Sequence, residues 1–394
     1  MEESGGSVIE TRDNTYLIGG QSFSPTGGNR TEPNWDSTGW YADMWIVNID
    51  TAGNKKWDKR YGGIEMESSA IVKQTYDGGY IVGGSSGSNI SGDKTQASWY
   101  DGSNRFADIW IIKIDSAGVK QWDKRFGGYN DDNLSGLYPT RDGGYILGGA
   151  SFSNQGGDKT SSSKGYWLVK IDSNGIKQWD ITIAPVQYHY WQTNSLALTS
   201  DGGYLISNTS SAGAGGLKSE NNLGSSQTWL IKLDSTGSKQ WDKTIFTDGP
   251  ENVGYAIQTR DGCYLAGNNT SSNIGGYKTE LSRGFSDYWI LKFCMEEYNN
   301  LDHGQPTTDN SQLQVWPNPF NTDLSLTLSE GEGIIPGATF TITSLTGQIV
   351  YQQQETNLAP GYTKMLDLSY LPNGVYFVEV STGEGKMVKR IIKQ

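Results

Sequence analysis

A repeated turn sequence constrains the fold of this chain more than any other feature. The turn Asp-Gly-Gly-Tyr occurs three times, and two variants keep its first and last residues. An aromatic strand and the pattern Asp-x-x-Gly-x-x-x-Trp recur with it, at a period of about sixty residues. Such self-similarity is typical of tandem supersecondary units. The turns lie at Asp13–Tyr16, Asp77–Tyr80, Asp142–Tyr145, Asp201–Tyr204 and Asp261–Tyr264.

Each unit has the pattern of four short antiparallel strands. In the second unit the third strand, from Asp108 to Asp115, is apolar on both faces, and the fourth, from Lys120 to Phe126, alternates. Tandem units that cannot each bury both faces favour a β-propeller. We therefore predict an all-β fold, with a β-propeller of five four-stranded blades over residues 1–295. An open stack of small sheets is the alternative.

The fifth unit ends after its third strand, at Phe293, whereas the first unit begins with a first strand. Propellers often complete one blade with a strand from the opposite terminus, so we expect a fourth strand and a signal peptide upstream of Met1 in the natural gene. The alternative is a final blade of three strands. Cys263 and Cys294 lie at neighbouring ends of the second and third strands, which favours a disulfide over two free thiols.

The composition changes after the repeats. Residues 296–311 are polar and have no apolar period, which is typical of a linker. Residues 312–394 contain seven short alternating strands, a pattern that predicts an immunoglobulin-like β-sandwich.

Four segments of this second domain carry a family resemblance: Trp316–Phe320, Ser344–Tyr351, Leu371–Val378 and Lys386–Gln394. In order and spacing they resemble the type A (Por-type) C-terminal sorting domain of the Bacteroidetes type IX secretion system. The repeats resemble the Asp-Gly-Gly-Tyr repeats often found before this domain, a group without a common activity. The resemblance assigns the sorting signal to Pro317, Asn318, Pro319, Gly347, Gly374, Tyr376 and Lys389.

The sorting-domain resemblance implies a route and a location. It implies a leader peptide, passage through the outer membrane with the type IX secretion machinery as partner, and removal of the domain by a sortase-like protease. The remainder would be released or anchored, so we expect an extracellular or outer cell-surface protein.

Composition argues against several functions. The net charge of −12 argues against a nucleic-acid partner, and no stretch approaches the roughly 18 apolar residues of a membrane span. The two histidines are His189, among aromatic residues, and His303, in the predicted linker. A zinc site needs about four ligands at suitable spacing. We therefore predict no metal, no cofactor, no catalytic residue and no enzymatic activity.

Aromatic residues that do not follow the repeat concentrate in loops that should emerge on one face of the repeat domain. Exposed aromatic side chains suit stacking on sugars or contact with a protein. We predict an adhesion or binding role toward a glycan or surface protein. The alternatives are loops that pack their own small core, and an extracellular carbohydrate-active hydrolase or lyase. The residues are Trp35, Trp40, Tyr41, Trp99, Tyr100, Phe106, Tyr188, Tyr190 and Trp191.

Overall fold

The computed structural model describes residues 2–68, 70–99, 106–184, 195–222, 226–247, 249, 251–294, 313–328, 335–344, 348–359, 361–383 and 385–393. Every named element within these ranges is a β-strand. The described residues contain no helix long and apolar enough to cross a membrane. The chain divides into two compact units, here called the repeat unit (Met1–Met295) and the C-terminal unit (Glu296–Gln394). The linker predicted at 296–311 lies outside the described residues.

The repeat unit contains five antiparallel sheets that follow one another along the chain. In each sheet the strands pair in chain order, so neighbours in sequence are neighbours in the sheet. The first two sheets contain β1 Glu3–Glu10, β2 Thr15–Ser22, β3 Asp43–Asp50, β4 Lys55–Tyr61, β5 Ile71–Gln74, β6 Tyr80–Ser86, β7 Asp108–Ile114 and β8 Lys120–Phe126.

The third and fourth sheets also have four strands, and the fifth has three among the described residues. Their strands are β9 Asp132–Pro139, β10 Tyr145–Ser151, β11 Gly165–Ile171, β12 Lys177–Ile183, β13 Ser195–Leu198, β14 Tyr204–Ser210, β15 Gln227–Leu233, β16 Lys239–Ile245, β17 Glu251–Gln258, β18 Tyr264–Thr270 and β19 Asp287–Phe293.

The Asp-Gly-Gly turn closes the hairpin between the first and second strands of a sheet. In the second sheet Gly78 has a φ of +86°, which residues with a side chain rarely adopt. A Cβ on Gly79 would collide with the carbonyl oxygen of Ile114. The Asp77 carboxylate accepts a hydrogen bond from the Gly79 amide (3.1 Å) and pairs with Lys113 on the third strand (2.9 Å). The turn therefore ties the hairpin to the third strand.

Successive sheets pack face to face through their third strands. Ile46 on β3 is buried against the second sheet, and the side chains at the same position of β7, β11 and β15 are also 0% exposed. The equivalent Ile290 on β19 is 68% exposed. In a closed ring of five blades the first sheet would cover this face. The all-β array of four-stranded sheets is thus as predicted, and closure into a five-bladed propeller stays a prediction.

The C-terminal unit is a sandwich of two sheets with one core. Leu324 and Leu326 of the three-stranded sheet pack with Phe340 and Ile342 of the four-stranded sheet. Alternation along these strands places apolar side chains toward the shared core. The strands are β20 Leu313–Trp316, β21 Asp323–Leu328, β22 Ile335–Ser344, β23 Ile349–Leu358, β24 Thr363–Asp367, β25 Gly374–Thr382 and β26 Gly385–Lys393.

Candidate functional site

A buried aspartate on the fourth strand organises each four-stranded sheet of the repeat unit. In the second sheet Asp123 accepts hydrogen bonds from the amide and hydroxyl of Thr95 (2.9 Å each), the indole of Trp110 (3.0 Å) and Lys120 (3.0 Å). Burial acts to raise the pKa of this carboxyl, but the hydrogen bonds outweigh burial and lower it. The equivalent residues with corresponding donors are Asp58, Asp180 and Asp242.

Two carboxyl groups are buried together where the first and second sheets meet. Asp43 begins β3, Glu67 precedes β5, and both side chains are 0% exposed. Both carboxyl groups lie beside Gly62, where an added Cβ would collide with an oxygen of each. Burial raises the pKa of Asp43 to about 6 and that of Glu67 to about 7. The next junction repeats this chemistry, because burial raises the pKa of Asp108 to about 7 and of Asp132 to about 6.

Raised carboxyl pKa values are a feature of acid–base sites. These carboxyl groups have almost no surface open to solvent, so in this structure they join sheets. Sequence reasoning missed them, although a signal was present in the Gly-Gly pairs after the fourth strands. A Cβ on Gly62 would collide with the Asp43 carboxylate, and one on Gly127 would collide with that of Asp108. The glycines therefore make room for the buried acids.

Trp35 and Trp99 occupy the same position of the repeat and link neighbouring sheets. Trp99 stacks on Arg125, with 4.3 Å from the guanidinium carbon to the ring centroid, and its indole donates to Asp158 of the third sheet (2.8 Å). Both residues follow a buried cation by five positions, Arg30 in the first unit and Lys94 in the second. Trp35 makes the equivalent contacts with Arg60 (4.4 Å) and Asp93 (3.0 Å).

We expect Trp99→Ala to lower the free energy of unfolding by about 2 kcal/mol, since it removes a cation–π contact and a link to the next sheet. Urea unfolding followed by circular dichroism measures the change. The matched control is Trp40→Ala, which removes an indole that is 79% exposed. Equal effects of the two substitutions would contradict the structural role of Trp99.

Trp40 and Tyr41 lie in the loop between β2 and β3, and this loop is held by one carboxylate. Asp36 accepts hydrogen bonds from the amides of Thr38, Trp40 and Tyr41, each at 2.9 Å. Tyr41 is partly buried, whereas Trp40 is largely exposed. Because the loop is already ordered, binding of a ligand that stacks on Trp40 would not include the entropy cost of ordering the loop.

The structure brings Trp35, Trp40 and Tyr41 into one loop and places Trp99 in the corresponding loop of the second sheet. Phe106 is partly buried just before β7. No group of three or more His, Cys, Asp or Glu side chains suited to a metal occurs within the described ranges. The remaining predicted residues lie outside those ranges, namely Tyr100, Tyr188, Tyr190, Trp191 and both histidines.

A disulfide joins Cys263 to Cys294, with an S–S distance of 1.96 Å. Cys263 immediately precedes β18 and Cys294 immediately follows β19. Their neighbours Tyr264 and Phe293 are paired in the sheet, so the bridge lies across adjacent strand ends. Disulfides persist in oxidising compartments.

Three residues that the resemblance assigns to the sorting signal, Pro317, Asn318 and Pro319, lie in the segment before β21. The peptide bonds preceding Pro317 and Pro319 are cis. The Asn318 side chain accepts a hydrogen bond from the Ile392 amide (2.9 Å), and the Phe320 amide donates to the Ile392 carbonyl (2.9 Å). The segment is therefore pinned to the last strand of the C-terminal unit.

Three further residues of the predicted signal lie on β25 and β26. Tyr376 is buried and donates a hydrogen bond to the Pro372 carbonyl (2.8 Å). Gly374 begins β25, and Lys389 on β26 pairs with Val378. Gly347 lies outside the described residues.

Solved structures similar to this chain have low sequence identity to it. A protein of unknown function from Dyadobacter fermentans is 10% identical, with a TM-score of 0.40 over 98% of this chain and 93% of that one. A polysaccharide lyase described as an ulvan lyase is 8% identical, with a TM-score of 0.43 over 98% and 91%. A xylan β-1,4-xylosidase from Bacillus halodurans is 11% identical, with a TM-score of 0.33 over 98% and 94%.

These neighbours correct one prediction. We expected the chain not to be an enzyme, and that prediction is contradicted, because a polysaccharide lyase and glycosidases are among the similar structures. At these TM-scores the likeness assigns no activity to this chain.

A curated relative matches part of this chain. The regulatory protein FlaEY of Caulobacter vibrioides is 24% identical over 174 residues, which is 43% of this chain and 18% of the relative. The match thus spans less than a fifth of that protein.

The C-terminal unit has a specific match. Residues 314–394 match the family model of the secretion system C-terminal sorting domain, which confirms the resemblance carried by the Trp316–Phe320 segment. Such a domain indicates an extracellular or cell-surface protein with the type IX secretion machinery as its export partner. This chain is therefore a secreted cargo protein that carries a type IX C-terminal sorting domain at residues 314–394.

Proposed function

We propose that the exported repeat unit is an adhesion or binding module that holds glycans at the cell surface through aromatic side chains of its loops. The observation that carries this proposal is Trp40, an indole that is 79% exposed on a loop ordered by Asp36. Aromatic faces stack on the apolar faces of sugar rings, and a rigid aromatic side chain loses little conformational freedom on binding. Tyr41 lies in the same loop, and the predicted ligand-binding residues Tyr100, Tyr188, Tyr190 and Trp191 lie outside the described residues.

The acidic character of the chain narrows the ligand. A net charge of −12 opposes binding of polyanions without compensating cations. Two guanidinium groups lie near this loop, and neither is available to bind an anion. Arg60 stacks on Trp35, and Arg30 is buried. We therefore propose neutral glycans as the first class of ligand.

A glycan array probed with the full chain tests the proposal, followed by titration calorimetry on any bound glycan. We expect Trp40→Ala to weaken binding at least about tenfold, the loss of about 1.4 kcal/mol that one stacked ring supplies. The matched control is Val119→Ala, since Val119 is 57% exposed in a turn between third and fourth strands. Binding that survives Trp40→Ala unchanged would refute the role of this loop.

The same samples test the alternative, an extracellular carbohydrate-active hydrolase or lyase. New reducing ends indicate glycosidic cleavage, and ultraviolet absorbance of unsaturated products distinguishes a lyase from a hydrolase. Turnover with any polysaccharide on the array would replace the binding proposal with an enzymatic one.

A further inference from the structure

We propose that a pocket on the outer face of the three-stranded sheet of the C-terminal unit binds a neutral sugar. Trp316 on β20, Ser325 on β21 and Met365 on β24 are direct partners across this sheet, so their side chains lie on one face. Leu324 and Leu326 flank Ser325 and are buried in the core, so the face that bears Ser325 is the outer one. The three residues of this row line a cavity of about 340 Å³, a volume typical of small-molecule sites.

The two ends of this row supply apolar walls of the pocket. Trp316 and Met365 are 75% and 74% exposed, although both side chains are large and apolar. They lie two strands apart, a distance of about 10 Å between backbones, and the small Ser325 side chain lies between them. This gap accommodates one ring. An exposed indole beside such a gap suits stacking on the apolar face of a sugar.

Polar side chains line another part of the pocket, and one of them is charged. These residues are Asn321, Thr322 and Asp323. Hydroxyl and amide groups both donate and accept hydrogen bonds, as sugar hydroxyls do, whereas an ammonium group needs acceptors only. None of the described residues that line the cavity is a lysine, arginine or histidine, and Asp323 would repel an anion. The pocket therefore favours a neutral sugar over a cationic peptide side chain or an acidic sugar.

The loop that carries these polar residues is fixed by hydrogen bonds to its surroundings. The bonds of Asn318 and Phe320 to Ile392 hold its beginning. The Leu368 amide donates to the Thr322 carbonyl (2.8 Å) and holds its end. The pocket is therefore formed before a ligand arrives, so binding does not include the entropy cost of ordering the loop. All residues of the pocket belong to the C-terminal unit, so it is distinct from the site proposed for the repeat unit.

Fluorine NMR of the full chain labelled with 5-fluorotryptophan locates the binding. Loss of one signal in Trp316→Phe assigns Trp316, and Trp40→Phe assigns Trp40 in the same way. The probes are methyl β-glucoside, methyl β-galactoside, methyl α-mannoside and N-acetylglucosamine. We expect at least one of these sugars to shift the Trp316 signal saturably. A shift of the Trp40 signal alone would place sugar binding in the repeat unit and overturn this proposal, so the two sites fail separately.

Matched sugars test the charge of the ligand. A bound glycoside and its uronate differ only at C6, and at low ionic strength the uronate should bind at least about threefold more weakly, because Asp323 repels its carboxylate. Asp323→Asn should bring the two affinities together. Asp323 is exposed, so we expect this variant to keep the fold. N-acetyl-lysine amide, a cationic probe, should leave the Trp316 signal unchanged.

A further variant tests the stacking role of the indole. Trp316→Ala should weaken binding at least about tenfold in titration calorimetry, since it removes the stacked ring. The matched control is Tyr370→Ala, because Tyr370 is 61% exposed in the same unit but does not line the pocket. No saturable shift of the Trp316 signal with any of the four sugars, equal affinity for a glycoside and its uronate, a response to the lysine probe in place of the sugars, or equal effects of the two alanine substitutions would overturn the proposal.

Discussion

The free energy of unfolding of the repeat unit should fall by at least about 2 kcal/mol when the pH is raised from about 5 to about 8. The cause is the buried carboxyl groups at the sheet junctions, Asp43 with Glu67 and Asp108 with Asp132. Burial raises each pKa, to about 6 or about 7, so each group keeps its proton in the folded chain after the unfolded chain has released it.

The sign follows from proton counting. Between about pH 4 and about pH 7 the folded chain binds more protons than the unfolded chain, so raising the pH favours unfolding. Below this window the fourth-strand aspartates act in the opposite direction, because hydrogen bonds outweigh burial and lower the pKa of Asp242 to about 2. Lys94, whose pKa burial lowers to about 8, titrates above the window. Stability should therefore be greatest in mildly acidic solution.

Urea unfolding at the two pH values measures this effect, with a double variant as control. Glu67→Gln and Asp108→Asn each replace a titrating carboxyl group by a neutral amide of nearly the same shape. The double variant should keep the stability of the protonated chain at high pH and show a much flatter pH dependence. The same slope in the double variant as in the parent chain would contradict the assignment.

Asp123→Asn should cost about 3 kcal/mol of unfolding free energy, because it breaks a buried, hydrogen-bonded charge pair from one side. The Asp123 side chain is 2% exposed and pairs with Lys120 at 3.0 Å. An asparagine offers one acceptor oxygen, and its amide group faces the donors of Thr95 and Trp110. Removing one partner from a buried network also leaves the remaining buried donors without a hydrogen bond to protein or water.

The midpoint of urea unfolding, followed by circular dichroism, measures the loss in Asp123→Asn. Glu10→Gln is the matched control, since it removes a charge from an exposed position on β1 and should change stability by less than about 0.5 kcal/mol. A loss below about 1 kcal/mol in Asp123→Asn would show that the fourth-strand aspartate is not a main tether of its sheet.

Much of the fold could be predicted from the sequence, because it depends on interactions between residues that are close along the chain. Asp77, Gly78 and Gly79 specify a tight turn because one glycine needs a positive φ, the other has no room for a Cβ, and the aspartate accepts a local amide. The apolar third strands and the Trp316–Phe320 segment are also local patterns. For that reason the all-β sheets and the sorting domain could be predicted without a structure.

The sites that depend on contacts between repeats could not be predicted from the sequence. Trp99 reads as a loop aromatic residue that is free to bind a ligand, yet it contacts Asp158 of the next sheet. Sequence spacing does not show that Asp43 and Glu67 come together, so this pair of buried carboxyl groups was missed.

The sequence by itself determined the repeat, its turns, its strands and the export signal, because each depends on residues close in the chain. Only the tertiary structure decided which carboxyl groups are buried, which tryptophan side chains contact a neighbouring sheet and which sheet faces are exposed. Ile46 and Ile290 occupy the same repeat position, but Ile46 is buried and Ile290 is 68% exposed. The difference arises because burial depends on whether another sheet covers the position, and this is set by packing between sheets.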